Sequence, residues 1–204
     1  QTKILEQLYA GKAIRHQESF AHLIEREIRP SNNQVTGDHT TSLEHIKQEM
    51  PVYGTTDFRY PGMEIRYPDG DRISQFEYRS YSVVEGKKRL PNLPATFAGE
   101  HEATTLEIYL EDRYSSLVLT LSYTIFHAYS ALARHTSIEN YGNETFQLER
   151  LMSLNLDLPM NDYDFIHLHG AWAREAQLER KPLITGVQSI SSTRGASSHV
   201  HNPF

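Results

Sequence analysis

Leu117-Val118-Leu119-Thr120-Leu121-Ser122-Tyr123-Thr124-Ile125 is the stretch whose reading decides the fold class. Successive side chains of a strand point to opposite faces, so Leu117, Leu119, Leu121, Tyr123 and Ile125 share one face and Thr120, Ser122 and Thr124 the other. Upstream, Leu106, Ile108 and Leu110 alternate in the same way with Thr105, Glu107 and Tyr109. Downstream, Phe146, Leu148, Met152 and Leu154 repeat the theme, broken at Arg150. The run from Ile73 to Glu85 is rich in aromatic and β-branched residues but changes parity near Arg79, where a bulge is expected. Pro68-Asp69-Gly70, Glu85-Gly86-Lys87 and Asn140-Tyr141-Gly142-Asn143 supply turn chemistry between the runs. Their spacing predicts an antiparallel meander of long strands and a mainly β fold. Helical spacing is confined to residues 17–29, where Phe20, Leu23, Ile24 and Ile28 recur before Pro30, and to one turn over residues 42–48. Residues 31–41 read as a polar loop, and residues 1–9 as one more strand.

With 204 residues the chain is long enough for one large domain or two small ones, burying roughly 70% of its unfolded surface. Hydrophobic residues are 38% and charged residues 23%, the balance of an ordinary globular protein. A net charge of −6 and the lack of a dominant basic patch argue against a nucleic-acid partner. There is no cysteine, which removes disulfides, thiolate nucleophiles and cysteine-rich zinc sites together and suits a reducing compartment. No apolar run approaches the ~20 residues needed to span a bilayer, and Lys3, Glu6, Lys12 and Arg15 interrupt every short apolar stretch at the start. A cytoplasmic location without membrane contact is expected. Both ends read as cut: a strand pattern begins at once, and the chain closes on Pro203-Phe204 with no polar tail. A sheet interrupted in this way leaves unpaired edges, so a segment of a longer polypeptide is expected.

Candidate chemistry is sparse. His167/His169 and His199/His201 each place two imidazoles on one face of a strand, a geometry a metal can use. Glu175 follows His169 by six residues, somewhat too far for a cupin-like set. Among 11 histidines chance pairs are expected, and hydrogen-bonded histidines are the commoner outcome. Glu111/Asp112 and Asp162/Asp164 are acidic pairs, but glycoside hydrolysis needs two carboxylates facing each other about 5 to 9.5 Å apart, which sequence neighbours rarely achieve. Asp157, Asp162 and Asp164 cluster around Pro159 and Asn161 and read first as turn residues. Phosphate loops and a nucleophile elbow are absent from the sequence, and Ser197-Ser198-His199 owes its adjacency to the chain alone. Trp172, the single tryptophan, stands between Gly170-Ala171 and Ala173-Arg174-Glu175. Small neighbours let its indole stack on the C–H face of a sugar while Nε1 donates a hydrogen bond; core packing is the commoner role of such a residue.

Four segments together resemble bacterial α-galactosidases of glycoside hydrolase family 36: Gln48-Glu49-Met50-Pro51-Val52-Tyr53-Gly54-Thr55-Thr56-Asp57-Phe58-Arg59, Leu90-Pro91-Asn92-Leu93-Pro94-Ala95-Thr96, Gly170-Ala171-Trp172-Ala173-Arg174-Glu175, and Arg194-Gly195-Ala196-Ser197-Ser198-His199-Val200-His201-Asn202-Pro203-Phe204. They stand in the family's order at similar spacing, and the resemblance runs from about Leu5 to the last residue. It implies an antiparallel β-supersandwich of galactose-mutarotase-like type with a few short helices, residues 1–204 forming part of an amino-terminal domain. The family's β/α barrel, which carries both catalytic aspartates, and its carboxy-terminal β-domain lie outside this chain, so no catalytic residue is expected here. The resemblance implies a parent enzyme that hydrolyses terminal α-linked galactose of melibiose and raffinose type with retention, without metal or organic cofactor, as a tetramer. It places Trp172 in the wall of the galactose pocket, against the commoner core role. Glu25 and His39 fall near positions of an acidic and a basic contact to a neighbouring subunit's pocket; His39 replaces a longer basic side chain. Asp57 and Arg59 are expected in a structural ion pair or turn, Asn202-Pro203 in a turn, and His199/His201 as a family signature. Competing readings are a stand-alone carbohydrate-binding or assembly module and a cupin-like metalloprotein on His167 and His169.

Overall fold

The computed structural model describes residues 3–15, 18–24, 34–35, 38–43, 45–54, 59–93, 95–159 and 161–192, without the side chains of residues 34–40. Ten strands follow in order: β1 (Gln34–Val35), β2 (Asp38–Ser42), β3 (Met63–Arg66), β4 (Phe76–Glu85), β5 (Ala103–Asp112), β6 (Leu117–Phe126), β7 (Leu132–Asn140), β8 (Gln147–Leu151), β9 (Asp164–Ala171) and β10 (Arg174–Pro182). One short 3-10 turn, Ala21–Leu23, is the helical content among the described residues. No helix there is long and apolar enough to cross a membrane. The chain divides into two compact units, Gln1–Asp157 and Leu158–Phe204.

In the first unit, β4-β5-β6-β7 form an antiparallel meander, and β3 pairs with β8 in a second sheet. Alternation in β5 and β6 sends Leu110, Leu119 and Leu121 inward, where they meet Met63 and Ile65 of β3, Phe76 of β4, and Met50 and Val52. Each fully buried aliphatic side chain of this set contributes about 1.5–3 kcal/mol by leaving water. Sheet faces sheet, the arrangement of a β-sandwich.

The bulge expected near Arg79 is present: Tyr78 opposes Leu110 and Ser80 opposes Tyr109, leaving Arg79 as the extra residue. A second bulge interrupts β8. Ile65 opposes Leu148 while Glu64 opposes Arg150, so the extra residue is Glu149. Leu151 therefore shares a face with Leu148 and packs on the core, where simple alternation puts Met152. Glu149 and Glu64 are held by Arg66, Arg72 and Arg150, which offsets the charge gathered at the bulge.

Two other expectations are corrected. Ile125 lies 61% exposed opposite Leu132, itself 59% exposed, because the covering layer reaches Tyr123 but not the strand's end. Over residues 42–48, Ser42 closes β2 and His45 N–H donates to Ser42 O at 3.0 Å, while Glu44 lies outside the described residues. Residues 3–9 make no named strand, only a bridge of Glu6 to Gln48, flanked by Gln7 N–H to Lys47 O and Glu49 N–H to Leu5 O. Of the helix expected over 17–29, residues 17 and 25–29 lie outside the described set, and Ala21–Leu23 buries nothing.

A polar cluster closes one edge of the core. The Arg134 side chain is 4% exposed, lies over the Tyr123 ring at 4.4 Å and pairs with Glu49 at 3.5 Å. The Tyr123 hydroxyl donates to Glu49, and burial, then that bond, pushes its pKa well above the ordinary value.

Candidate functional site

Trp172 stands at the tip of the β9–β10 hairpin of the second unit. Arg174 opposes Ala171, so Trp172 and Ala173 form a two-residue turn. Ala173 takes a left-handed φ of +61°, unusual for a residue with a Cβ, and its N–H donates to Glu175 Oε1 at 3.0 Å. Ala176 is also left-handed, at +51°, where the register slips between Arg174 and Gln177. The turn and the slip project the indole outward: Trp172 is 90% exposed. A bare indole cannot be a core residue of this unit. It offers a flat apolar face and one N–H donor, the pair of features a sugar ring can use.

Behind the tip, Arg180 pairs with Asp164, and His167 Nε2 lies 3.0 Å from Glu179 Oε2 on the neighbouring strand. The His167 and His169 rings are 6.0 Å apart at 50°. Glu179 is held below the ordinary carboxylate range, first by a hydrogen bond from Lys181 and further by its positive charge and by His167 and His169. Among the described residues no group of three or more His, Asp or Glu side chains is arranged to hold a metal. His167 is thus a paired histidine, and the cupin-like alternative loses its geometry. His199 and His201 lie outside the described residues.

Of the remaining candidates, Glu25 lies outside the described residues, and His39 belongs to β2, in the first unit, with its side chain outside the description. Trp172 belongs to the other unit, so each is placed by itself. Asp57 also lies outside the described residues. Arg59 is structural: it pairs with Asp157 at 2.9 Å and donates to the carbonyls of Leu43 at 3.2 Å and Ile46 at 2.5 Å. Asp112 is 2% exposed and accepts from Tyr67 Oη, Gln75 N and Ser115 Oγ, which fixes a turn. Glu111 faces Arg79 at the surface. No facing pair of carboxylates for glycoside cleavage arises from Glu111/Asp112 or Asp162/Asp164, as Asp164 is engaged by Arg180 and Asp162 sits beside the Asn161 turn.

The model of the glycosyl hydrolase family 36 N-terminal domain matches residues 3–204. The chain is 42% identical over 201 residues to α-galactosidase AgaA of Geobacillus stearothermophilus, covering 98% of the chain and 28% of that protein. α-Galactosidase 2 of Hypocrea jecorina is 43% identical over 158 residues, 78% of the chain and 21% of the relative. Among solved structures, a variant of the Geobacillus enzyme in complex with raffinose superposes with a TM-score of 0.90 at 43% identity, over 98% of this chain and 28% of that one. The α-galactosidase from Lactobacillus brevis superposes with a TM-score of 0.91 at 36% identity, over 99% and 28%. The chain thus spans little more than a quarter of the length of the bacterial relatives it matches.

Proposed function

Because the chain belongs to the glycosyl hydrolase family 36 N-terminal domains, we propose that the protein of which it is part is an α-galactosidase. Its reaction is release of terminal α-linked galactose from oligosaccharides of melibiose and raffinose type. The observation that carries this reading is the 42% identity to a named α-galactosidase along 98% of the chain. The chemistry proposed is retaining hydrolysis through a covalent galactosyl–enzyme intermediate, its two carboxylates contributed by a β/α barrel elsewhere in the polypeptide. It calls for no metal or organic cofactor, and it takes place in the cytoplasm.

The work of this domain is then positional. The sandwich core is a scaffold, and the β9–β10 tip supplies Trp172 as one wall of the galactose pocket. Stacking the apolar face of galactose on the exposed indole removes both from water and fixes the ring's orientation. The exposed apolar side chains of the same unit, Ile166, Leu178 and Ile184 among them, are the kind of surface another domain covers. A homotetramer is proposed in which Glu25 and His39 approach the pocket of a neighbouring subunit.

Hydrolysis of a chromogenic α-galactoside by the full-length protein tests the reading. Turnover supports it. Absence of turnover together with saturable glycan binding by the full-length protein replaces it with a non-catalytic carbohydrate-binding module, a role the bare Trp172 also suits.

A further inference from the structure

The register of β4 to β7 builds a polar row across the sheet. Ser82 lies opposite Glu107, Glu107 opposite Ser122, and Ser122 opposite His135. Alternation sends all four to the face away from Leu119 and Leu121. The next row brings Tyr109 opposite Thr120 on the same face.

This row is half-buried and incompletely paired. Tyr109 Oη donates to Glu107 Oε2 at 2.7 Å, and Ser82 Oγ approaches the same oxygen at 3.4 Å. Glu107 Oε1 has no hydrogen bond among the described residues, nor has either ring nitrogen of His135. Ser122 is 1% exposed, and its Oγ is buried with no partner among the described residues. Of these groups the Ser122 hydroxyl is the one buried without a partner, whereas Glu107 and His135 are half-buried with polar atoms left free for a ligand.

Both signs of charge meet at the face, Glu107 and Glu139 beside Tyr109 and Lys87 beside His135. Lys87, its Nζ donating to Thr96 O at 2.9 Å, lies close enough to His135 to act on it, and Glu107 opposes it. Burial, then Lys87 and Arg134, hold His135 below the ordinary 6.5, so its imidazole is neutral near pH ~7 and offers one donor and one acceptor. An anionic ligand would meet Glu107, and a cationic one Lys87. A free carboxylate oxygen, a neutral imidazole, hydroxyls and the edge of a phenol ring together match a neutral polyol with an apolar C–H face.

We propose that the row Ser82–Glu107–Ser122–His135 is a binding site for a neutral saccharide unit. Glu107 accepts from sugar hydroxyls, His135 donates to them, and Tyr109 lies against the ring's C–H face. This follows from strand register and side-chain chemistry and does not depend on the hydrolytic reading.

The test is calorimetric titration of raffinose into the full-length protein under saturating 1-deoxygalactonojirimycin, which keeps the hydrolytic site of an α-galactosidase occupied. The expected result is saturable binding with a Kd near ~1 mM that weakens at least about tenfold in Glu107→Gln and in His135→Ala. Turnover of a chromogenic α-galactoside by those variants stays at the wild-type value, and so does their melting temperature to within a few degrees, which certifies that they fold. Raffinose binding that is absent under these conditions, or unchanged in both folded variants, overturns the assignment. Failure of the α-galactosidase reading would show instead as missing turnover in the wild-type protein and leave the titration readable.

Discussion

Strands β4 to β7 bury Leu110, Leu119 and Leu121 to 3% exposure or less, whereas the β9–β10 hairpin leaves Trp172 90% exposed and buries none of its described hydrophobic residues. Both are antiparallel with strands of similar length, so pairing alone does not separate them. Layering does. The meander has β3 and β8 across one face, while among the described residues the strands of the second unit form a single hairpin, an element marginal in water when nothing packs on it. Stability is therefore concentrated in the first unit and display in the second. A hairpin without a core can hold an aromatic side chain out toward a ligand or a neighbouring domain, at the cost of needing that neighbour for its own order.

Substitutions should divide along the same line. Leu121→Ala removes a side chain with 0% exposure from the centre of the core and should cost up to about 5 kcal/mol, read as a fall in the denaturation midpoint of the full-length protein. Leu178→Ala, at 67% exposure in the hairpin, is the matched control if that surface remains free; a loss as large as Leu121→Ala would show that another part of the protein covers it. Arg134→Ala strips Glu49 and Tyr123 of their cation and should cost about 3 kcal/mol in the same assay. Trp172→Ala should lower kcat/KM for an α-galactoside by about tenfold, equivalent to about 1.4 kcal/mol, with the midpoint unmoved. A shifted midpoint would make Trp172 a packing residue.

The smallest effect belongs to Glu179. Its folded pKa lies below the ordinary 4.5, so its pairing stabilises the fold above that value and is lost as pH falls through the lowered one. Glu179→Gln should therefore melt slightly below the wild type near pH ~6, and the gap should close as pH falls through the lowered pKa. A difference that widens on acidification would reverse the sign and discard the pairing.

Much of the meander is legible in the sequence because one buried face per strand imposes strict alternation, and even the bulge at Arg79 shows as a change of parity. The bulge at Glu149 is harder to read, since Leu148, Leu151 and Met152 offer two apolar registers and only pairing with Met63 and Ile65 chooses between them. Ile125 continues the alternation past the point where the covering layer stops, a limit set by residues distant in sequence. Trp172 stands out as the single tryptophan among small residues, but its exposure depends on the Ala171–Arg174 turn. The row from Ser82 to His135 is invisible to motif reading, because its members come from four strands. Its one sequence signal is the polar alternate face of β6, with Thr120, Ser122 and Thr124.

The measurement that tests the account most directly is a crystal structure of the full-length protein with raffinose bound. The account predicts the galactosyl ring against the indole of Trp172, with carbon atoms within about 4 Å. Raffinose bound in the hydrolytic pocket with Trp172 packed elsewhere, away from the sugar, would contradict it.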